Sequence, residues 1–131
     1  MATRAHLIYQ KISSRLITNL NSLEYKNNKL IFDNLDLSEH CKKYKTPFYI
    51  YSENLIRKNI QEYMANSNDR TLFCYSVKAN SNLSILKIIA SEGMGFDVVS
   101  KGELYRAIKA GADTKKIVYS GVGKTRDEIK Y

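Results

Sequence analysis

The 131-residue chain is 44% hydrophobic and 26% charged, the balance of a globular domain or part of one, and no apolar run approaches the ~18 residues that cross a bilayer. Its net charge of +8 raises nucleic-acid binding, but the lysines lie singly in every segment rather than in one tract. The charge therefore reads as a solvated surface that favours anionic ligands, with neither nucleic acid nor membrane as a partner. Cys41 and Cys74 share no ligand spacing with His6 and His40, so no metal site is expected, and two isolated thiols suit a reducing, cytoplasmic setting.

The first twenty residues, MATRAHLIYQKISSRLITNL, are basic and partly amphipathic but lack the continuous apolar core of a secretory signal. Their Arg and Ser content leaves an organellar presequence as the alternative to a cytoplasmic start. The spacing allows a helix around Leu7 to Leu20. Asn27-Asn28 signals a turn ahead of the apolar run Lys29-Leu30-Ile31-Phe32. Asp36 can cap a helix reaching about Tyr44, before Pro47.

Beyond Pro47 the hydrophobic period switches repeatedly between two and 3.6. Phe48–Tyr51 predicts a strand, followed by a helix capped by Ser52 with Glu53 at its positive end and an apolar stripe of Ile56, Ile60, Tyr63 and Met64. Thr71–Val77 predicts a second strand, apolar enough to be buried on both faces. Asn80-Ser81-Asn82 opens a helix that carries Leu83, Leu86, Ile89 and Ala90 on one side and ends at Gly93. Phe96–Val99 is a third strand, and Ser100 with Glu103 has capping-box spacing for a helix ending at Gly111. Lys116–Tyr119 is a fourth strand, and Thr125 with Glu128 repeats the capping spacing.

Strands alternating with helices indicate an α/β fold built from βαβ units. The unit length, paced by Ser76, Ser100 and Ser120, fits a (β/α) barrel, yet a complete barrel needs about 250 residues. The expectation is an incomplete fragment, with a lead-in over residues 1–47 and the first part of the barrel over residues 48–131.

Lys78 directly follows the second strand, where barrel enzymes place their chemistry. Apolar surroundings there would favour the neutral amine that attacks carbonyls. Taken alone, such a lysine is more often a solvated strand end. Asp97, at the end of the next strand, has an equally plain alternative as a carboxylate that accepts from backbone N–H groups.

The neighbouring words change that balance. YSVKANSN, then LSILKIIASEGMGFDVVSKGELYRAIKAGA, then KIVYSGVGKTRDEI stand in this order, preceded by YKNNKL and KTPFYIY. Together they resemble the fold-type III pyridoxal-phosphate-dependent decarboxylases of the alanine-racemase-like (β/α)8 barrel class, over roughly residues 23–131. Within that class the wording is most similar to the diaminopimelate decarboxylase family, which converts meso-diaminopimelate to L-lysine. The resemblance implies that Lys78 holds pyridoxal phosphate covalently and that Asp97 stands beside the cofactor and orients it and the lysine. It also implies a small amino-acid substrate and a homodimer for the full-length enzyme. Ser120–Thr125 looks like a phosphate loop without Walker spacing, and the resemblance makes it a strand-to-helix connection at the rim.

Lys45 and Lys101 stand where many family members carry glycine, and Lys101 is similar to the ornithine branch. Ornithine, arginine or carboxynorspermidine decarboxylases therefore stay as alternatives, as does a non-catalytic cofactor-binding or assembly fragment. Alanine racemase is not the expected activity, because nothing like its A-Y-G-H-G follows Asn80. The six glycines include no triplet of the sort that cradles the phosphate in this family, so the chain alone is expected to be inactive.

Overall fold

A computed structural model describes residues 22–131, so the helix suggested near Leu7 to Leu20 lies outside the described residues. The chain divides into two compact units, one ending at Leu55 and the other spanning Ile56–Tyr131.

The first unit is set by two tight turns. Strand β1 (Leu23–Lys26) pairs antiparallel with β2 (Lys29–Phe32), and β2 pairs with the short β3 (Leu35–Asp36). Asn27 and Asn28 have φ of 51° and 60°, and Asp33 and Asn34 have 49° and 66°. Two successive left-handed residues give the turn whose twist matches paired strands, and Asn and Asp tolerate it best. The Asp33-Asn34 turn was not read from the sequence, although the same side-chain chemistry signals it. Helix α1 (Leu37–Lys43) starts where expected, with Ser38 N donating to Asp36 Oδ1 at 2.9 Å.

Phe48–Tyr51 departs from expectation. It forms no strand among the described residues, because a strand exists only through a ladder partner and none is present there. Ser52 does cap α2 (Glu53–Ala65), accepting from Leu55 N at 3.0 Å. Its hydroxyl donates in turn to Asp33 Oδ2 at 2.8 Å, which accounts for a buried serine.

The second unit holds a parallel sheet in the order β4 (Cys74–Ser76), β5 (Gly95–Val98), β6 (Ile117–Tyr119). Between the strands run α3 (Leu83–Ser91) and α4 (Lys101–Lys109). Side chains alternate across a strand, so β5 sends Phe96 and Val98 to one face and Asp97 to the other. Phe96 and Val98 are fully buried with Leu86 and Ile89 of α3 and Ala107 of α4, and this cluster is the core. Burying a side chain the size of Phe96 contributes about 1.5–3 kcal/mol. The helix-free face of the sheet therefore carries Ser76, Asp97 and Val118 in one register row.

The second predicted strand is shorter than expected. Leu72 is half exposed, and the chain enters a single 3-10 turn at Val77–Ala79, which buries Val77 completely. β4 pairs only with β5 among the described residues, so the ladder reaches no further than Phe73 O, which accepts from Gly95 N at 2.8 Å.

Both expected caps are present. Ser100 Oγ accepts from Glu103 N, while Glu103 Oε2 accepts from Val99 N rather than from the cap residue. The last helix, α5 (Arg126–Lys130), has the full reciprocal box between Thr125 and Glu128. Glu128 also accepts from Lys101 N at 3.3 Å, so one carboxylate serves the starts of α4 and α5. The backbone N–H groups of Thr125 and Lys101 hold its pKa down to about 2 from 4.5. A depressed carboxylate stabilises the fold above pH 4.5 and loses that contribution as pH falls through about 2. Urea midpoints of the protein and of Glu128→Gln should differ at pH 6 and converge toward pH 2. A gap that stays constant over that range contradicts this role.

Candidate active site

The C-terminal ends of the three parallel strands bring the chemistry together. Ser76 closes β4 and pairs in register with Asp97 of β5, and Lys78 stands two residues further on, in the 3-10 turn. Tyr75 fixes the exit of that turn by donating its hydroxyl to Asn80 O at 3.3 Å, and Asn80 Oδ1 accepts from Asn82 N at the start of α3. Both contacts fix Asn80, at the exit of the turn that carries Lys78.

Its side chain is exposed, and Nζ makes no hydrogen bond or ion pair with the described residues. The apolar surroundings expected for this amine are not found there. The 3-10 turn buries Val77 completely and leaves Lys78 exposed. Lys78 and Asp97 are neighbours in the fold without being in contact.

Asp97 is partly buried. Its Oδ1 accepts from Ser120 Oγ at 2.5 Å, from the residue that follows β6. Among the described residues it accepts from no backbone N–H group, the plain alternative for a strand-end carboxylate. Cys74 lies on the same face, and burial, helped by the Asp97 charge, pushes its thiol up, so it stays protonated at neutral pH. Ser76 Oγ is buried and has no hydrogen-bond partner among the described residues. The sequence paced the repeat with Ser76 and Ser120 and placed Ser120 in the rim connection, but it gave neither hydroxyl a role at the site.

The rim loop after β6 is exposed. Lys124 Nζ donates to Gly121 O at 2.8 Å and sits 5.1 Å from the centre of the Tyr119 ring, so this lysine braces its own loop. A cavity of about 330 Å³ lies at the opposite, N-terminal ends of the strands, beside Phe73, Met94 and Lys116, and is remote from Lys78 in the topology.

A primary amine free of competing ion pairs, a carboxylate one strand away and a buried hydroxyl with unmet bonding capacity form a donor set that fits an aldehyde cofactor held through the amine. The family described as pyridoxal-dependent decarboxylase, pyridoxal binding domain, matches residues 53–131. The chain belongs to this family.

Diaminopimelate decarboxylase of Pseudomonas aeruginosa is 41% identical to this chain over 112 residues, covering 85% of the chain and 27% of that protein. The crystal structure of diaminopimelate decarboxylase from M. jannaschii matches with a TM-score of 0.80 at 36% identity, over 85% of this chain and 27% of that one. The Helicobacter pylori enzyme, crystallised with L-lysine, matches with a TM-score of 0.69 at 45% identity, over 72% and 24%. The chain therefore spans about a quarter of the length of the curated relatives it matches.

Proposed function

We propose that this chain forms the lysine-bearing part of a pyridoxal-phosphate-dependent diaminopimelate decarboxylase, which converts meso-diaminopimelate to L-lysine and carbon dioxide. The observation that carries the proposal is the place of Lys78, an unpaired amine at the C-terminal end of β4, one strand from Asp97. The names of relatives that are 39–51% identical support the substrate. The sequential order β4-β5-β6, with a helix between neighbours, supports the alanine-racemase-like (β/α)8 barrel. A homodimeric, cytoplasmic enzyme is part of the same proposal.

Bound pyridoxal phosphate would supply an electron sink for the carbanion left when the α-carboxylate departs. Lys78 Nζ would hold its aldehyde covalently. Asp97, fixed at Oδ1 and free at Oδ2 among the described residues, would orient that amine and the ring beside it. The protonated Cys74 thiol keeps a competing nucleophile quiet on the same face.

A chimera in which this chain replaces the matching segment of the Pseudomonas aeruginosa relative tests the substrate. It should release carbon dioxide from meso-diaminopimelate with kcat/KM at least about tenfold above ornithine, arginine or lysine. The 131-residue chain by itself should release none. Equal or better turnover of ornithine would move the assignment to that branch.

A further inference from the structure

We propose that Ser120 is a positioning residue for Asp97, holding one carboxylate oxygen so that the other faces the cofactor-bearing amine in a fixed orientation. This rests on the function proposed above and extends it to a residue on a third strand. The contact is a hydroxyl donating to Asp97 Oδ1 at 2.5 Å, in the range of charge-assisted O–H···O⁻ bonds.

The Ser120 side chain is not needed to keep the sheet together. Its backbone N already donates to Val98 O at 2.9 Å and extends the β5–β6 ladder by itself. Capping does not explain it either, because α5 takes its cap from Thr125. What the hydroxyl does is tie β6 to the one ionisable side chain on the helix-free face of β5. Gly121, at φ +94°, then turns the chain away; a side chain there would be strained by that φ although its nearest neighbour, Val99 Cβ at 3.7 Å, leaves it room.

Asp97 is thereby engaged from one flank only. Ser120 occupies Oδ1 from the β6 side, while Ser76, its register partner on the β4 side, keeps a buried hydroxyl without a partner. Oδ2 accepts from none of the described residues. A carboxylate clamped at one oxygen and open at the other presents its charge in a single direction. A carboxylate freed from Ser120 could rotate about its terminal torsion, which is intrinsically broad.

The test loads the purified protein with pyridoxal phosphate and follows the pH midpoint of the cofactor's visible absorption band, alongside borohydride trapping at Lys78. Loss of one charge-assisted hydrogen bond in Ser120→Ala should lower that midpoint by about 0.5–1 unit, because the anion that favours the protonated cofactor-bound nitrogen is no longer held in place. Ser120→Thr keeps the hydroxyl and should titrate like the parent protein. In an Asp97→Asn background, Ser120→Ala should add no further shift. Trapping at Lys78 with an unchanged midpoint in Ser120→Ala, or a Ser120→Thr midpoint displaced as far as that of the alanine variant, overturns the role of Ser120 and leaves the proposed function standing. Absence of any Lys78 adduct in the parent protein overturns both.

Discussion

Lys78→Ala is expected to abolish decarboxylation in the chimeric enzyme, lowering kcat/KM for meso-diaminopimelate by at least about a thousandfold, or roughly 4 kcal/mol of transition-state stabilisation. The size follows from the role. Without an amine at the end of β4, the chain has no group in the Val77–Ala79 turn that can hold an aldehyde. Lys78→Arg should be nearly as damaging although it keeps the positive charge, because a guanidinium stays protonated and is no nucleophile at neutral pH. Folding should be little affected by either change, since Lys78 is exposed and bonds to no described residue. An Arg variant with near-parental activity would show that charge, and not covalent attachment, is what the position supplies.

Gly95→Ala is expected to cost more than about 3 kcal/mol, beyond the usual penalty of overpacking. A Cβ at Gly95 would lie 2.3 Å from Lys116 O, 2.9 Å from Cys74 Sγ and 3.2 Å from Lys116 Cβ. The first of these is backbone, fixed by the β5–β6 register that pairs Phe96 with Ile117. Relief therefore requires the central strand to part from a neighbour, and Phe96 and Val98 leave the core with it. Gly102→Ala is the matched control. It lies inside α4, its nearest neighbour would be Ser100 Oγ at 3.8 Å, and the exchange should be neutral or stabilise by up to about 1 kcal/mol. Urea unfolding of both variants decides the matter, and comparable midpoints for the two would contradict the packing described at Gly95.

Much of the second unit was legible in the sequence because its signals are local. Asn82, Ser100 and Thr125 cap helices where their spacing places them, and Gly93 and Gly111 end two helices with positive φ. What could not be read locally was pairing. Phe48–Tyr51 has strand composition but no ladder among the described residues, and Thr71–Phe73 has apolar character without the burial it suggested. Both depend on what lies alongside, which a single sequence does not state.

The site shows the same division. Lys78 and Asp97 could be singled out because their strand ends and flanking words are contiguous in the chain. Ser120 could not, because its partner lies 23 positions earlier and the contact appears only when β5 and β6 are in register. Ser76 was equally silent, since a serine ending a strand looks ordinary until its hydroxyl is found buried and unpaired. The exposure of Lys78 ran against its apolar neighbours in sequence for a geometric reason: at three residues per turn, successive side chains of the 3-10 turn point about 120° apart, so burying Val77 does not bury Lys78.

Lys78 is expected to form the bond to pyridoxal phosphate. Incubation of the protein with the cofactor, borohydride reduction and peptide mapping by mass spectrometry tests it directly. One dominant pyridoxyl adduct is expected, on the peptide carrying Lys78, and it should disappear in Lys78→Ala. An adduct spread over the other lysines, or concentrated at Lys116 or Lys124, would contradict it.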